Sequence, residues 1–252
     1  MKYYIFSDLH EDEISLKKTL DIISSENEPF VIYSLGDNVG FSKHYHSSAS
    51  KRKANKCIDL LIKNNVNSVI GNHDLNFLNK KPLIPFFIYP NEWEELSIKE
   101  KIKRSGVWLY LDEYLTKLSK KNHLYIEKNT DFLINEDLLF SHFLYPDFNG
   151  NLILKNNLIE KLLPVHFIFM EINKLKISFV GHLHTQTPIL ITSKKEKIIL
   201  NDDESLFLDT ENLEYIIFCP SLNSYKSNKP KFIKYCDKTK KLECYFADII
   251  EA

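Results

Sequence analysis

The chain lacks a cysteine pair, an excess of charge of either sign and a long apolar run. Its four cysteines are scattered, with no C-x-x-C spacing, which is typical of reduced thiols in a cytosol and argues against a disulfide framework. The 33 basic residues nearly balance the 34 acidic ones, so no global field draws the chain to nucleic acid or to anionic lipid. The first apolar run, at residues 3–6, is far too short for a signal peptide or a membrane span. We therefore expect a cytoplasmic protein with no membrane partner, and we do not favour docking on nucleic acid.

Internal repeats and low-complexity tails are also absent. The 252 residues are enough to bury a full core, and the 44% apolar and 27% charged residues are typical of a soluble globular protein. We therefore predict a single domain over residues 1–252. Nothing in the sequence predicts an oligomeric state.

Strand and helix patterns alternate in the first third of the chain. Short apolar runs at 3–6, 30–35 and 66–70 alternate with helical patterns at 12–25 and 49–64. Strand–helix–strand units of this kind indicate a parallel α/β core with right-handed crossovers.

The pattern changes between residues 75 and 136. Prolines surround an aromatic cluster at 86–89, and helices are predicted at 92–103 and 108–120, so we interpret this range as a helical insertion. Strands are predicted again further on, at 137–140, 176–180, 189–192, 197–200, 215–219, 232–235 and 242–247.

Five of the predicted strands end in short polar motifs. In chain order these are Asp8-x-His10, Gly36-Asp37, Gly71-Asn72-His73-Asp74, His142 and Gly181-His182-x-His184. Because the ends of successive strands lie side by side, these groups can converge at one edge of a sheet. Carboxylate, imidazole and amide ligands suit Mn²⁺, Fe or Zn²⁺, and no thiol belongs to the set. Each motif alone has an ordinary explanation as a helix cap or a turn, but their joint occurrence predicts a site for two divalent ions.

This set of motifs resembles the calcineurin-like metallophosphoesterase superfamily, whose blocks run D-x-H, G-D, G-N-H-D/E, H and G-H-x-H in that order. The resemblance implies an α/β fold of two packed mixed β-sheets flanked by helices, in four layers, to which the helical insertion is added. It also implies a cofactor of two divalent metal ions, with manganese favoured and iron, zinc or nickel as alternatives.

The same resemblance implies a role for each motif residue. It divides seven ligands between the two ions: Asp8, His10 and His184 for one, Asn72, His142 and His182 for the other, and Asp37 as the bridge. His73 would donate a proton or hydrogen bond to the phosphoryl group or to the leaving group, and Asp74 would orient His73. The implied reaction is hydrolysis of a phosphoric ester by a hydroxide held between the two ions.

The residues around Asp37 bear on the substrate. Gly36-Asp37-Asn38-Val39-Gly40 is similar to the G-D-x-V-G form of small bacterial and archaeal phosphodiesterases, whereas protein Ser/Thr phosphatases have G-D-x-V-D-R-G. The arginine of the latter form is absent here, and a dianionic monoester wants an extra cation. We therefore expect a phosphodiester or a nucleotide-like small molecule as substrate.

Two alternatives stay open. One is a phosphomonoesterase that uses the same ions. The other is a non-catalytic scaffold for protein binding, which is weaker because all seven ligands and His73 are present.

Several residues outside the motifs are interpreted as structural. His44 and His46 lie in a polar loop, which favours solvated surface, and His123 and His166 default to structural roles. The aromatic cluster at 86–89 is favoured as core of the insertion over a base-stacking platform. Relatives have an N-P-G-S turn late in the chain where this one has Cys219-Pro220-Ser221-Leu222-Asn223, so we make no prediction for that loop.

Overall fold

The computed structural model describes residues 1–40, 53–78, 91–93, 95–97, 99–100, 103, 116–151, 157–202, 204–223 and 229–247. The aromatic cluster at 86–89 and the histidines at 44 and 46 lie outside the described residues, as do residues 108–115 of the second predicted helix and 94, 98, 101 and 102 of the first. In the described parts of these two ranges, residues 99, 100, 103 and 120 are helical, whereas 92, 93, 95–97 and 116–119 are not. The helical insertion and the single-domain organisation therefore stay predictions.

The described residues form twelve strands and five helices. The strands are β1 (Lys2–Phe6), β2 (Phe30–Ser34), β3 (Asn67–Ser68), β4 (Phe132–Asn135), β5 (Leu138–Ser141), β6 (Ile177–Thr185), β7 (Ile189–Thr192), β8 (Lys197–Ile199), β9 (Ser205–Phe207), β10 (Tyr215–Pro220), β11 (Lys231–Cys236) and β12 (Lys241–Phe246). The helices are α1 (Glu13–Ser24), α2 (Ala54–Lys63), α3 (Asn72–Phe77), α4 (Lys120–Glu127) and α5 (Leu158–Ile172). No helix in this part of the chain is long and apolar enough to cross a membrane.

The strands form two mixed sheets of six. The first has the order β3-β2-β1-β11-β12-β9, in which β1, β2 and β3 are parallel and the other pairs are antiparallel. The second has the order β4-β5-β6-β10-β7-β8, in which β5, β6 and β10 are parallel. The predicted fold class, two packed mixed sheets flanked by helices, is confirmed.

The two sheets pack face to face over a shared apolar core. The alternation along β1 shows how, because Tyr3 and Ile5 point to the other sheet while Tyr4 and Phe6 belong to the cluster under the helices. Aromatic rings join the sheets: the rings of Tyr33 on β2 and Phe140 on β5 are parallel, with centroids 3.7 Å apart. The two sheets are therefore stacked, and the ends of their parallel strands lie at neighbouring edges.

Helices cover the outer face of each sheet. The Asp12 carboxylate caps α1 by accepting the Ser15 N–H at 3.1 Å, and the helix buries Leu16, Leu20 and Ile23 at helical spacing. Each of these side chains contributes about 1.5–3 kcal/mol by leaving water. On the second sheet, α5 packs through Leu162 and Met170 among others.

The structure corrects the predicted end of the third strand. Only Asn67 and Ser68 join the ladder, because Val69 forms an isolated bridge with Thr130 and the Ile70 N–H donates to the Thr130 carbonyl at 2.9 Å. The motif that follows is the first turn of α3 rather than a loop. Asp74, in that turn, accepts the Gly71 N–H at 3.1 Å and so caps the helix.

Other elements also differ from the predicted pattern. The sequence pattern predicts that this strand ends at residue 180, but β6 continues through His182 and His184, both in left-handed backbone conformations. Helix α4 and strand β4 fall within the range 75–136, for which the sequence predicts an insertion. Both belong to the core, since β4 pairs with β5 and the Tyr125 hydroxyl of α4 donates to the Val66 carbonyl at 3.0 Å.

Candidate metal centre

The nine predicted site residues lie together at one edge of the sandwich. They follow β1, β2 and β5, or stand in the first turn of α3 and the last part of β6: Asp8, His10, Asp37, Asn72, His73, Asp74, His142, His182 and His184. One hydrogen bond links the contributions of the two sheets: the His182 N–H donates to the Asp8 carboxylate at 3.0 Å. Within the second sheet, the Gly181 N–H donates to the His142 carbonyl at 3.0 Å.

The loops that carry these residues are bonded to one another through the backbone. The Asp8 N–H donates to the Gly36 carbonyl at 3.2 Å, and the His10 N–H donates to the Asp37 carbonyl at 2.9 Å. Left-handed backbone occurs at five of the site residues, namely Asp8, His10, Asp37, His182 and His184. Strain of this kind persists only where surrounding structure enforces it, and it is concentrated at functional sites.

One group of ligand atoms comes from Asp8, His10 and His184. Nε2 of His184 lies 3.2 Å from Oδ1 of Asp8 and 3.1 Å from Nε2 of His10. Nδ1 of His10 lies 3.2 Å from the Gly40 carbonyl, which can only accept, so Nδ1 carries the hydrogen. The Nε2 of neutral His10 therefore presents a lone pair to the group.

A second group comes from Asn72, His142 and His182. Nε2 of His142 lies 3.1 Å from Oδ1 of Asn72 and 3.2 Å from Nδ1 of His182. Nδ1 of His142 donates to the Leu35 carbonyl at 2.7 Å, which again turns Nε2 towards the other ligand atoms.

Asp37 lies between the two groups. Its Oδ2 is 3.9 Å from Nε2 of His10 in the first group and 3.3 Å from Nε2 of His142 in the second. Its Oδ1 accepts the His73 N–H at 2.9 Å, which fixes the carboxylate against the start of α3.

These residues fit divalent cations. Ligand atoms about 2.1 Å from one ion are separated from each other by about 3.0–3.4 Å, which matches the contacts in both groups. Oδ1 of Asp8 is buried and, in the described part of the chain, accepts no hydrogen bond. The lone pair of His142 faces the oxygens of Asn72 and Asp37, so a proton or a cation is needed between them.

Burial and charge keep the candidate ligands Asp37, His10 and His182 in the protonation state that binds a metal and leave His142 protonated. Burial would raise the pKa of Asp37, but His142 and His73 hold it well below its usual range, so the group stays a carboxylate. Burial lowers the pKa of His10 well below its usual range and that of His182 to about 3, so both rings stay neutral. Burial opposes the charged form of His142 as well, but Asp37 and Asp8 raise its pKa to about 9. The proton held there is one that a cation would displace.

Asp74 holds the loops of the site. One of its oxygens accepts the N–H groups of Asn38 and Val39, each at 3.1 Å, and the other accepts the Gly71 N–H. Burial, together with the nearby Asp37, raises the pKa of Asp74 to about 7. The expectation that Asp74 orients the His73 ring stays a prediction, and its observed bonds act on the backbone that carries His73.

The His73 ring lies beside Asp37 and His10. Its Nε2 lies 4.0 Å from Oδ2 of Asp37, and its ring meets the His10 ring edge to face with centroids 4.9 Å apart. The other side of the ring rests against Gly40, whose φ is +91° and where an added Cβ would lie 2.6 Å from the His73 Cβ. Only glycine suits this position, because both the backbone conformation and the space exclude a side chain.

Sequence reasoning missed two loops that support the centre. Asn223, in the loop for which no prediction was made, donates to the Asp8 carbonyl at 2.8 Å, and the Ser221 hydroxyl lies 3.4 Å from the same oxygen. Gly150, in the loop after β5, lies so close to His182 that an added Cβ would be 2.6 Å from Nδ1. The only signal for either loop is its position after a strand that neighbours β6.

The two-sheet fold, with a cluster of candidate metal ligands at one edge, is typical of metal-dependent hydrolases, and comparison with known families agrees. Residues 1–186, which include every site residue, match the family described as calcineurin-like phosphoesterase. The chain belongs to this family, and it is therefore a metallophosphoesterase, a hydrolase of phosphoric esters.

Individual relatives are more distant. The uncharacterized protein MJ0912 of Methanocaldococcus jannaschii is 25% identical over 254 residues, which cover 95% of this chain and 84% of that protein. The crystal structure of a metallophosphoesterase from Sphaerobacter thermophilus is similar with a TM-score of 0.67 and 19% identity, covering 98% of this chain and 89% of that one. A cold-active protein-tyrosine phosphatase from a psychrophilic Shewanella species is similar with a TM-score of 0.52 and 12% identity, covering 98% and 78%. Likeness at this identity is evidence of a shared fold.

Proposed function

We propose that this protein is a dinuclear metal-dependent phosphodiesterase that hydrolyses a phosphodiester or nucleotide-like small molecule. The observation that carries the proposal is the convergence of two groups of ligand atoms, each with contacts of about 3 Å, on either side of one carboxylate, that of Asp37. Manganese is the favoured metal because the ligands are carboxylate, imidazole and amide, without a thiol.

The residues divide into those that hold the ions and those that act on the substrate. Asp8, His10 and His184 would hold one ion, Asn72, His142 and His182 the other, and Asp37 both. When bound, two such cations lower the pKa of water and neutralise charge on the phosphoryl oxygens.

His73 is the residue proposed to act on the substrate. His73 follows the candidate ligand Asn72 in the chain, and its ring lies 4.0 Å from the Asp37 carboxylate that both ligand groups also face. The Asp37 carboxylate accepts the His73 N–H, and the Asp74 carboxylate accepts the Gly71 N–H two residues earlier. From this position His73 would donate a hydrogen bond or a proton to the phosphoryl oxygen or the leaving group, an effect worth roughly 10²–10⁴-fold in rate.

The proposed preference for diesters depends on charge. The carboxylates of Asp8, Asp37 and Asp74 contact histidines and backbone N–H groups, and the arginine of the Ser/Thr phosphatase motif is absent at Val39-Gly40-Phe41. A diester carries one negative charge and needs less compensation than a dianionic monoester. The alternative is a phosphomonoesterase with the same ions.

We also propose that the protein is cytoplasmic. All four cysteines, Cys57, Cys219, Cys236 and Cys244, are free thiols, which supports a reducing compartment.

The test is hydrolysis of bis(p-nitrophenyl) phosphate and p-nitrophenyl phosphate by chelator-stripped protein, before and after reloading with Mn²⁺. We expect metal-dependent turnover with a higher kcat/KM for the diester. Asp37→Asn should lower both metal content and turnover, because its oxygen serves both ligand groups. His73→Asn should lower kcat at least a hundredfold at unchanged metal content, since it removes a donor and no ligand.

Three outcomes would contradict parts of the proposal. Full metal occupancy and undiminished turnover in Asp37→Asn would refute the bridging role. A higher kcat/KM for the monoester would favour the phosphatase alternative. Metal binding without hydrolysis of either ester would favour the scaffold.

A further inference from the structure

Four apolar side chains on the helix-covered side of the second sheet are exposed. Val165, Ile168 and Ile172 on α5 are 39%, 54% and 74% exposed, and Ile134 on β4 is 47% exposed. A contiguous apolar patch on a folded chain marks a contact with another molecule. Single exposed apolar residues such as Ile14 on α1 need no such explanation, so the four count as a patch only if they are adjacent.

The four side chains surround one contact between α5 and β4. The rings of Phe169 and Phe132 meet edge to face with centroids 6.1 Å apart, which places β4 beside the helix. Val165 is four residues before Phe169 and Ile172 three residues after it, so both neighbour Phe169 on the helix surface. Ile134 is two residues after Phe132 and therefore lies on the same face of the sheet. The patch is thus continuous across the helix and the strand.

Opposite charges flank the patch along the helix. Lys161 stands near the start of α5 and Glu171 near its end, and both residues are exposed. Lys161 is four residues before Val165, and Glu171 is three residues after Ile168, so each charge adjoins the apolar stripe. The two charged residues are separated by about 15 Å along the helix axis, which is too far for them to pair within one chain.

This pattern is complementary to itself about a two-fold axis. An antiparallel pair of α5 helices centred midway between Val165 and Ile168 places each of these residues opposite the other in the second copy. The midpoint of Lys161 and Glu171 lies within half a residue, about 0.8 Å, of the same centre. Lys161 therefore comes level with Glu171 of the partner subunit, and the two-fold axis repeats this contact at the other end. A parallel pairing would place like charges opposite each other.

We propose that the α5 face, formed by Ile134, Val165, Ile168 and Ile172, binds a second copy of this chain in an antiparallel two-fold dimer. The charges select this occupant, because a second copy supplies both an apolar stripe and opposite charges at the matching levels. The dimer is independent of the proposed function, since none of the nine candidate site residues stands on α5 or β4.

The test is sedimentation velocity of the full chain from about 1 to 100 µM, because a patch of this size should give a reversible dimer. Ile168→Glu should weaken dimerisation at least about tenfold, since it places a carboxylate at the centre of the α5 face. The matched control is Ile14→Glu on α1, where the isoleucine is 50% exposed, and it should dimerise like the wild type. Circular dichroism spectra of both variants should match that of the wild type.

The antiparallel orientation has a test of its own. Lys161→Glu should weaken the dimer about 5- to 20-fold, because the two-fold axis turns two attractive contacts into repulsive ones. Adding Glu171→Lys to this variant restores opposite charges and should return the affinity to within about threefold of the wild type. A double variant that dimerises no better than Lys161→Glu would overturn the orientation.

The dimer itself would be refuted by a wild-type chain that stays monomeric at about 100 µM. If Ile168→Glu then lowers the Tm of that monomer, the α5 face is covered within the chain. If the monomer binds phosphatidylcholine vesicles and Ile168→Glu abolishes this binding, the occupant is a lipid surface. A wild-type dimer that Ile168→Glu leaves intact would also refute the proposal, because its interface would lie elsewhere.

Discussion

Lowering the pH from 7 to 5 should destabilise the fold by about 2 kcal/mol through a single buried histidine, His166 on α5. Its Nδ1 accepts the Tyr145 N–H at 2.8 Å, so the neutral ring carries its hydrogen on Nε2, which lies 2.9 Å from the Ser178 hydroxyl. The ring therefore ties the loop after His142 to β6. A second proton on Nδ1 would break the bond to Tyr145.

The magnitude follows from the pKa. Burial lowers the pKa of His166 from 6.5 to about 3 in the folded protein. The unfolded chain takes up the proton near pH 6.5 and the folded one does not, so stability present above pH 6.5 is lost as the pH falls towards 3. At pH 5 the loss relative to pH 7 is about 2 kcal/mol, at 1.36 kcal/mol per pH unit below 6.5.

Urea denaturation at pH 7 and pH 5 measures this loss, with His166→Gln as the matched variant. Glutamine does not titrate, and all other groups are common to both proteins. The variant should be less stable at pH 7 by about 1–3 kcal/mol, because buried hydrogen bonds are lost. At pH 5 the difference in the free energy of unfolding between the two proteins should be smaller by about 2 kcal/mol. A difference that is the same at both pH values to within about 0.5 kcal/mol would refute the argument.

Three further predictions concern single contacts. Gly40→Ala should lower the free energy of unfolding by about 2–4 kcal/mol and displace His73, because it strains a left-handed residue and overlaps the ring. Tyr235→Phe should raise the free energy of unfolding by about 1 kcal/mol, because the hydroxyl is buried between the sheets and has no partner within the described ranges. Asn223→Ala should weaken Mn²⁺ binding roughly 10- to 100-fold, because it removes the donor to the Asp8 carbonyl.

Chemical denaturation checks the first two predictions and metal titration checks the third. Tyr215→Phe is the control for Tyr235→Phe: its hydroxyl accepts the Asp209 N–H at 3.0 Å, so its removal should destabilise. Equal effects of the two tyrosine changes would contradict the second prediction. Wild-type stability and kcat in Gly40→Ala, or wild-type Mn²⁺ affinity in Asn223→Ala, would contradict the other two.

The candidate site was largely predictable because each of its motifs is local. Asp8 and His10 are two residues apart and follow an apolar run, and the same is true of His182 and His184. A short apolar run indicates a strand, and the ends of parallel strands meet at one edge. The motifs therefore converge as soon as the sheets form. The alternation of side chains along β1 and the N-terminal cap of α1 are local features that favour the same strands and helices as the final fold.

The remaining features depend on groups that are far apart in the chain. The bond from the His182 N–H to the Asp8 carboxylate spans 174 positions, and that from Asn223 to the Asp8 carbonyl spans 215. The third strand ends early where Val69 and Ile70 pair with Thr130, although the Val69 N–H still donates to the Ser34 carbonyl of β2 at 3.0 Å.

The sequence by itself determined the order of strands and helices in the first third of the chain. It also determined the types of the candidate ligand residues and their order along the chain. The tertiary structure alone decided that Asp74 also accepts the N–H groups of Asn38 and Val39, which lie 36 and 35 positions earlier in the chain. The physical reason is that periodicity and capping act between residues a few positions apart, whereas these contacts arise only when sheets and loops pack.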